Sequence, residues 1–270
     1  MQTKKNFMRE SVIRVVAMTL VFFMIFALFR FAIFKEESKE TFSPQGNFTD
    51  LNSNNNSNSN KKRVAITYDD GPHNVNTVKI VDELEKYGFN ATFFVVGNRI
   101  DGTEYNGSKA LKYVASKGNE IAIHGYTHKQ NDAHYFDTCS EATFKSELGD
   151  TKDAILEYVP NAKIRLMRPP GGRITEARVK SCKYSVVMWS VDSNDWKYKS
   201  SGDEGVEAIV DNVMSQVKNG SIILMHDIYE NTVEATKKIL KELNSQGYEV
   251  VTVSELLGSP KAGVKYSKAS

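Results

Sequence analysis

The chain has 270 residues, 40% of them apolar and 25% charged, with a formal net charge of +2. That composition fits one large globular domain with accessory segments and argues against a nucleic-acid partner. Two cysteines, Cys139 and Cys182, are too few for a disulfide framework and lack metal-type spacing, so buried thiols are expected ahead of one optional bridge.

Residues 1–14 are basic, with Lys4, Lys5, Arg9 and Arg14. The next stretch, VVAMTLVFFMIFALF at 15–29, carries no charge. As a helix it spans only about 22 Å, short of the ~30 Å hydrocarbon core. Adding residues 30–34 gives a transmembrane anchor at 15–34, provided Arg30 snorkels to the interface. The cations lie mostly on the N-terminal side, which predicts a cytoplasmic 1–14 segment and an extracellular remainder. A cleaved signal peptide, which would release a secreted protein, is the rival reading. The long apolar region and the lack of a clear small-x-small cleavage site favour a single-pass anchor. Residues 35–61, with KEESKE and then NSNNNSNSN, cannot bury a core and read as a disordered extracellular tether.

From residue 62 to 257, short apolar runs alternate with longer amphipathic segments. Strands are expected near 63–68, 91–96, 120–124, 164–168, 185–191, 221–225 and 249–253. Helices are expected at 75–87, 108–118, 141–158, 204–218 and 231–246, with Gly88, Gly118, Gly220 and Gly247 as stops. This is an α/β pattern with a parallel sheet buried on both faces. An open doubly wound sheet and a closed barrel fit the periodicity equally well. Residues 258–270 read as a C-terminal tail.

The polar exceptions to the apolar runs share one position, the C-terminal end of a strand. Asp69 and Asp70 follow the first strand, and His124 ends the third, with His128 four residues on. Arg168 ends the fourth, Asp192 and Asp195 follow the fifth, and His226 follows the sixth. Those ends share one face of a parallel α/β fold, so these residues should converge in one cleft. His124 and His128 have a common spacing for two imidazoles on one metal, and a carboxylate of the Asp69–Asp70 pair would complete a His2Asp set. That set suits Zn2+ or non-haem Fe2+. The second carboxylate is then free to act as a base, and His226 as an acid, which describes hydrolysis by an activated water. Taken singly, each residue has a blander explanation: a solvated turn for the DDG triplet, surface histidines for HxxxH, a surface ion pair for Arg168, core packing for Trp196. Their joint occurrence at successive strand ends does not. His73 and His134 read as loop residues.

Five motifs in order resemble the polysaccharide deacetylases, family 4 carbohydrate esterases, also called the NodB homology domain. They are TYDDGP at 67–72, HGYTH at 124–128, RPPGG at 168–172, DSNDW at 192–196 and LMH at 224–226. The resemblance implies a distorted (β/α)7 barrel and a metal-dependent hydrolase of a C–N bond other than a peptide bond. It implies Asp70, His124 and His128 as ligands of a divalent metal, expected to be Zn2+, with Co2+, Ni2+ or Fe2+ as alternatives. It implies Asp69 as catalytic base oriented by Arg168, and His226 as general acid tuned by Asp195. Trp196 and Leu224 would shape an acetyl pocket, and the Gly171 N–H would bind the oxyanion. Two positions depart from the family pattern: Gly125 replaces Ser or Thr, and Gly171 replaces Tyr. The implied substrate is a polysaccharide containing N-acetylglucosamine, with peptidoglycan first because the domain is expected outside the membrane. Chitin oligomers or an exopolysaccharide come second, and a non-catalytic carbohydrate-binding protein on the same fold is the rival class. An Fe2+ oxygenase is disfavoured by the alternating strand–helix pattern.

Overall fold

The computed structural model describes residues 61–102 and 105–269. The expected anchor at 15–34 and nearly all of the tether lie outside these residues. Among the described residues, no helix is long and apolar enough to cross a membrane.

Nine strands form one sheet among the described residues. They are β1 (Lys62–Asp69), β2 (Thr92–Val95), β3 (Glu120–Ile123), β4 (Leu166–Met167), β5 (Ser185–Val187), β6 (Val191–Asp192), β7 (Ile222–His226), β8 (Tyr248–Val250) and β9 (Lys265–Tyr266). The order is β6-β7-β1-β2-β3-β4-β5-β9, with β8 also on β1, and every ladder is parallel. β5 and β6 lie near opposite ends of that order, yet only residues 188–190 join them. So short a link spans at most about 14 Å, so the sheet must curl until its two ends nearly meet. The choice between open sheet and barrel is thereby decided in favour of a curled, incompletely closed barrel. The expected strand at 185–191 is two strands, broken where the chain changes neighbours from β4 to β7. Residues 258–270, set apart from the sequence as a tail, carry β9, which pairs with β5.

Side-chain alternation sorts the strands into two layers. Val64, Ile66, Tyr68, Phe93, Val95, Ile121, Ile123, Met167, Val186, Ile223 and Met225 face the main core under the helices. The opposite parity, Ala65, Phe94, Ala122, Leu166, Val187 and Ile222, forms a small cluster inside the curl. Extending that inner parity toward the strand C-termini gives Thr67 and Asp69 on β1, His124 beyond β3, Arg168 beyond β4, Asp192 on β6, and Leu224 and His226 on β7. The barrel interior is therefore apolar at its base and polar at its mouth.

The expected helices are present as α1 (Asn76–Glu85), α3 (Ser108–Ser116), α4 (Glu141–Tyr158), α6 (Gly202–Met214) and α7 (Glu230–Ser245). Three short ones were not anticipated: α2 (Asn98–Asp101), α5 (Glu176–Ser181) and α8 (Val253–Leu257). Ser140 caps α4 by accepting from the Thr143 N–H, and Thr252 and Glu255 form a reciprocal capping box on α8. Cys139 and Cys182 are free, buried thiols.

Candidate active site

The barrel mouth holds a cleft of about 440 Å3, whose lining includes Asp69, Asp70, His124, His128, Gly171, Trp196, Leu224 and His226. All ten residues expected to act are at this mouth, with Arg168 and Asp195 buried just behind the lining. His73 and His134 are elsewhere. The His73 imidazole accepts from the Asn76 N–H at 3.1 Å near the start of α1, and His134 pairs with Asn131 on the surface.

Asp70, His124 and His128 each offer one ligand atom, and the three atoms lie within 4.8 Å of one another. The Asp70 Oδ1 is 3.0 Å from the His128 Nε2 and 3.5 Å from the His124 Nε2. The His124 Nδ1–H donates to the Arg168 carbonyl at 2.9 Å, which fixes the tautomer and leaves the Nε2 lone pair facing Asp70. Burial pushes the His124 imidazole down to about 4, against the pull of Asp69 and Asp70, so it is neutral. Burial also works against the Asp70 carboxylate, but the positive charges around it, His128 foremost and then His226 and Arg99, outweigh it and hold its pKa below the usual range. Yet Asp70 Oδ1 is buried and makes no hydrogen bond. A buried carboxylate oxygen with no proton donor, facing a neutral imidazole lone pair, is what a divalent cation would satisfy. The donor set fits such an ion. Asp70 and His128 adopt φ values of +75° and +50°, a left-handed conformation uncommon for residues other than glycine.

Asp69 is held from the other side. Arg168 is fully buried and donates through NH1 to the Asp69 Oδ1 at 2.7 Å and to the Thr67 hydroxyl at 2.8 Å. Its Nε and NH2 donate to the Val187 and Met188 carbonyls, each at 3.0 Å. The guanidinium also stacks on the Phe94 ring, 4.2 Å from its centroid. Every donor face is therefore engaged, as a buried charge requires. The second Asp69 oxygen, 3.6 Å from the His124 Nε2, opens toward the cleft.

His226 and Asp195 form the third unit. The His226 Nδ1–H donates to the Asp195 Oδ1 at 2.7 Å, and the His226 backbone N–H donates to the Oδ2 at 2.7 Å. The Thr232 hydroxyl and the Trp196 N–H complete the shell around this fully buried carboxylate. Burial opposes charge on His226, but Asp195 overcomes it and raises the pKa to about 10. The imidazolium is thus the stable form at neutral pH. Leu224 is buried in the cleft wall, whereas Trp196 is 48% exposed and forms its rim.

Gly171 has φ +62°, and a side chain there would approach the Tyr135 ring, whose Cε1 lies 3.7 Å from the Cβ position. Residues not anticipated from sequence also line or brace the site. Gln130, Trp189 and Tyr229 line the cleft. Thr67, inside the first motif, bridges Arg168 to the Ile223 carbonyl. Asp227, adjacent to His226, is pushed by burial up to about 7 and receives the Thr77 hydroxyl. A Cβ on Gly71, inside the first motif, would lie 2.2 Å from the Oδ2 of Asp227, just beyond the last motif, so a side chain there would displace that carboxylate.

Comparison with known proteins identifies the family. The family described as polysaccharide deacetylase matches residues 56–187. The peptidoglycan-N-acetylmuramic acid deacetylase PdaC of Bacillus subtilis is 37% identical over 73% of this chain, which spans 39% of that protein's length. Its solved structure superposes with a TM-score of 0.65, covering 90% of the crystallised chain. A peptidoglycan-N-acetylglucosamine deacetylase of Bacillus cereus is 38% identical over 73% of this chain and 89% of its own length. A family 4 acetyl xylan esterase from Clostridium thermocellum, solved with cobalt, is 30% identical with a TM-score of 0.67 over 77% of this chain and 98% of its own.

Proposed function

The chain belongs to the polysaccharide deacetylase family, and on that premise we propose that it hydrolyses the acetamido groups of N-acetylglucosamine units in a cell-wall polysaccharide, with peptidoglycan as the substrate. The observation that carries this reading is the arrangement of three units around one cleft: the Asp70–His124–His128 cluster, the Asp69–Arg168 pair and the His226–Asp195 pair.

Asp70, His124 and His128 would hold the divalent cation, with Zn2+ as the expected ion. Such an ion polarises an acyl oxygen and acidifies water to a pKa of about 7. Asp69 accepts the proton of the attacking water, its other oxygen being fixed by Arg168. The Gly171 N–H donates to the oxygen on which negative charge develops. His226 delivers its Nε2 proton to the departing nitrogen, which leaves as an amine rather than as an amide anion. Asp195 keeps that imidazole charged and fixes which nitrogen faces the cleft. Leu224 and Trp196 receive the acetyl methyl. The products are acetate and a free glucosamine unit.

Peptidoglycan is favoured by the names of the relatives, and an uncharged stretch at 15–29 with cations mostly on its N-terminal side is consistent with a domain outside a membrane. Acetate release separates the alternatives. Intact peptidoglycan, chitopentaose and acetylated xylan are assayed with and without a chelator. Chelator-sensitive release greatest from peptidoglycan is the expected result. Release from xylan alone would make the protein an esterase, and release insensitive to chelation would remove the cation from the reaction.

A further inference from the structure

The loop Gly125–His128 carries one metal-ligand candidate at its end and follows another at its start. Its backbone is unusual, with Gly125 at φ +78° and His128 at φ +50°. Such a loop holds its shape only if its surroundings over-determine it. The family pattern assigns that task to a hydroxyl at position 125, and this chain has glycine there.

In this chain the loop is held by Glu147. Glu147 lies on the inward face of α4 and is 5% exposed. Its Oε2 accepts the Tyr126 N–H at 2.6 Å and the Thr127 N–H at 2.8 Å. Its Oε1 accepts the Thr127 hydroxyl at 2.6 Å. The loop carbonyls are held from the opposite side, where the Gly97 and Asn98 N–H groups donate to the carbonyls of Gly125 and Tyr126, each at 3.0 Å. A Cβ at position 125 would lie 3.2 Å from the Glu147 Oε2 and 3.3 Å from the Pro170 Cγ, so a side chain at 125 would crowd the carboxylate. No cation shares the buried Glu147 carboxylate in these contacts: its hydrogen bonds are all to the loop.

Resting on the proposed metal site, we infer that Glu147 is a positioning residue for His128. Through the N–H groups of Tyr126 and Thr127 it fixes the peptide planes that aim the His128 imidazole at Asp70. Removing groups that orient metal ligands typically weakens metal binding ~10- to 100-fold, and charge-assisted bonds of this kind are the stronger ones. Phe144, Leu148, Thr151 and Ile155 anchor the same face of α4 in the core, so the helix itself does not depend on Glu147.

The test is metal affinity, measured by calorimetric titration of the full chain, stripped of metal, with Zn2+. Wild type should bind one ion, and Glu147→Ala should bind ~10- to 100-fold more weakly. Thr127→Val removes the hydroxyl's bond to Glu147 and its long 3.4 Å bond from the Lys129 N–H, but leaves both backbone N–H bonds to Glu147, so a smaller loss is expected. Should Glu147→Ala fail to fold, Glu147→Gln takes its place. Its amide oxygen can still accept both N–H groups, and its affinity should fall between those of wild type and Thr127→Val or match the latter. Unchanged affinity in the folded Glu147 variant and in Thr127→Val, even with a lower melting temperature, would overturn the inference and leave Glu147 a structural residue. A wild-type chain that binds no ion would instead sink the metal site, and the inference with it.

Discussion

Asp69 and His226 are direct lateral partners on adjacent parallel strands, β1 and β7, with their side chains on the inner parity of the sheet. The proposed base and the proposed acid are therefore neighbours at about the 4.8 Å spacing of paired strands. Their charged partners are different. Arg168 reaches Asp69 from the β4 side, and Asp195 reaches His226 from beyond β6. One carboxylate is thus paired with a guanidinium while the imidazole beside it is kept charged by a different carboxylate. Two groups with opposite duties sit side by side because each has its own counter-charge.

Asp69→Asn tests the first of these duties. Asparagine keeps the shape and can still accept from Arg168, but it cannot take a proton. Turnover should fall by ~10^2- to 10^4-fold, the usual span for a general base. The affinity for Zn2+ should stay within a few-fold of wild type, because the proposed ligands are Asp70, His124 and His128. The measurements are kcat for acetate release and a metal titration on the same preparation. Near-native kcat would remove Asp69 from the base role.

The second duty predicts a pH profile. His226 has its pKa raised to about 10, with burial opposing and Asp195 driving the shift. The active acid is the protonated form, so activity should be retained through neutral pH and lost as pH rises toward about 10. A cation in the cleft repels the imidazolium and draws that limb lower. In Asp195→Asn the counter-charge is gone while burial remains, so the alkaline limb of kcat/KM should move to lower pH. Stability follows the same sign. The raised pKa contributes stability that is fully present below the unfolded value of about 6.5 and is lost as pH rises through about 10. Denaturant titrations across that window should show wild type losing stability with pH more steeply than Asp195→Asn. An unmoved alkaline limb in the variant would sever Asp195 from the acid.

Much of this architecture is readable from the residues, and the reasons for the gaps are physical. The polar residues at the strand ends stand out because the rest of each run is apolar, and their shared position at strand C-termini gathers them on one face of a parallel sheet; that they lie inside a curl follows only from the strand pairing. The break at residues 188–190 is invisible because the apolar run continues through it. It is produced by an exchange of neighbours, since the Val187 and Met188 carbonyls accept from Arg168 rather than continuing a ladder. β9 is two residues long and borrows its order from β5, so no local pattern announces it. α2, α5 and α8 are too short to show a helical period. Glu147 did leave a trace. It falls in the stripe Phe144, Leu148, Thr151, Ile155, where a helix turned toward the core should carry no charge. A buried acid in an apolar stripe implies donors waiting for it, but the sequence does not say that they belong to the loop between the two histidines.

Arg168 joins fold to site, and its replacement should damage both. The guanidinium ties the end of β4 to β1 through Thr67 and Asp69, and to the chain leaving β5 through two carbonyls. These are the strands on either side of the curl's interior, so the same side chain that orients the base also spans the barrel mouth. Arg168→Met fills similar volume without charge and leaves Asp69 buried without its partner. Breaking a buried pair in this way costs about 3–5 kcal/mol. For a domain of this size each kcal/mol shifts the melting temperature by roughly 2–4 °C, which gives an expected drop of about 6–20 °C. Arg168→Lys keeps the charge but offers no planar fork, so it cannot reach Asp69, Thr67 and both carbonyls at once. Its melting temperature should lie between those of Met and wild type, with kcat still reduced because Asp69 is no longer held from one side. The measurements are thermal denaturation of the metal-free chain and kcat at neutral pH. A Met variant that melts with wild type would show that the mouth is held by the ladders alone.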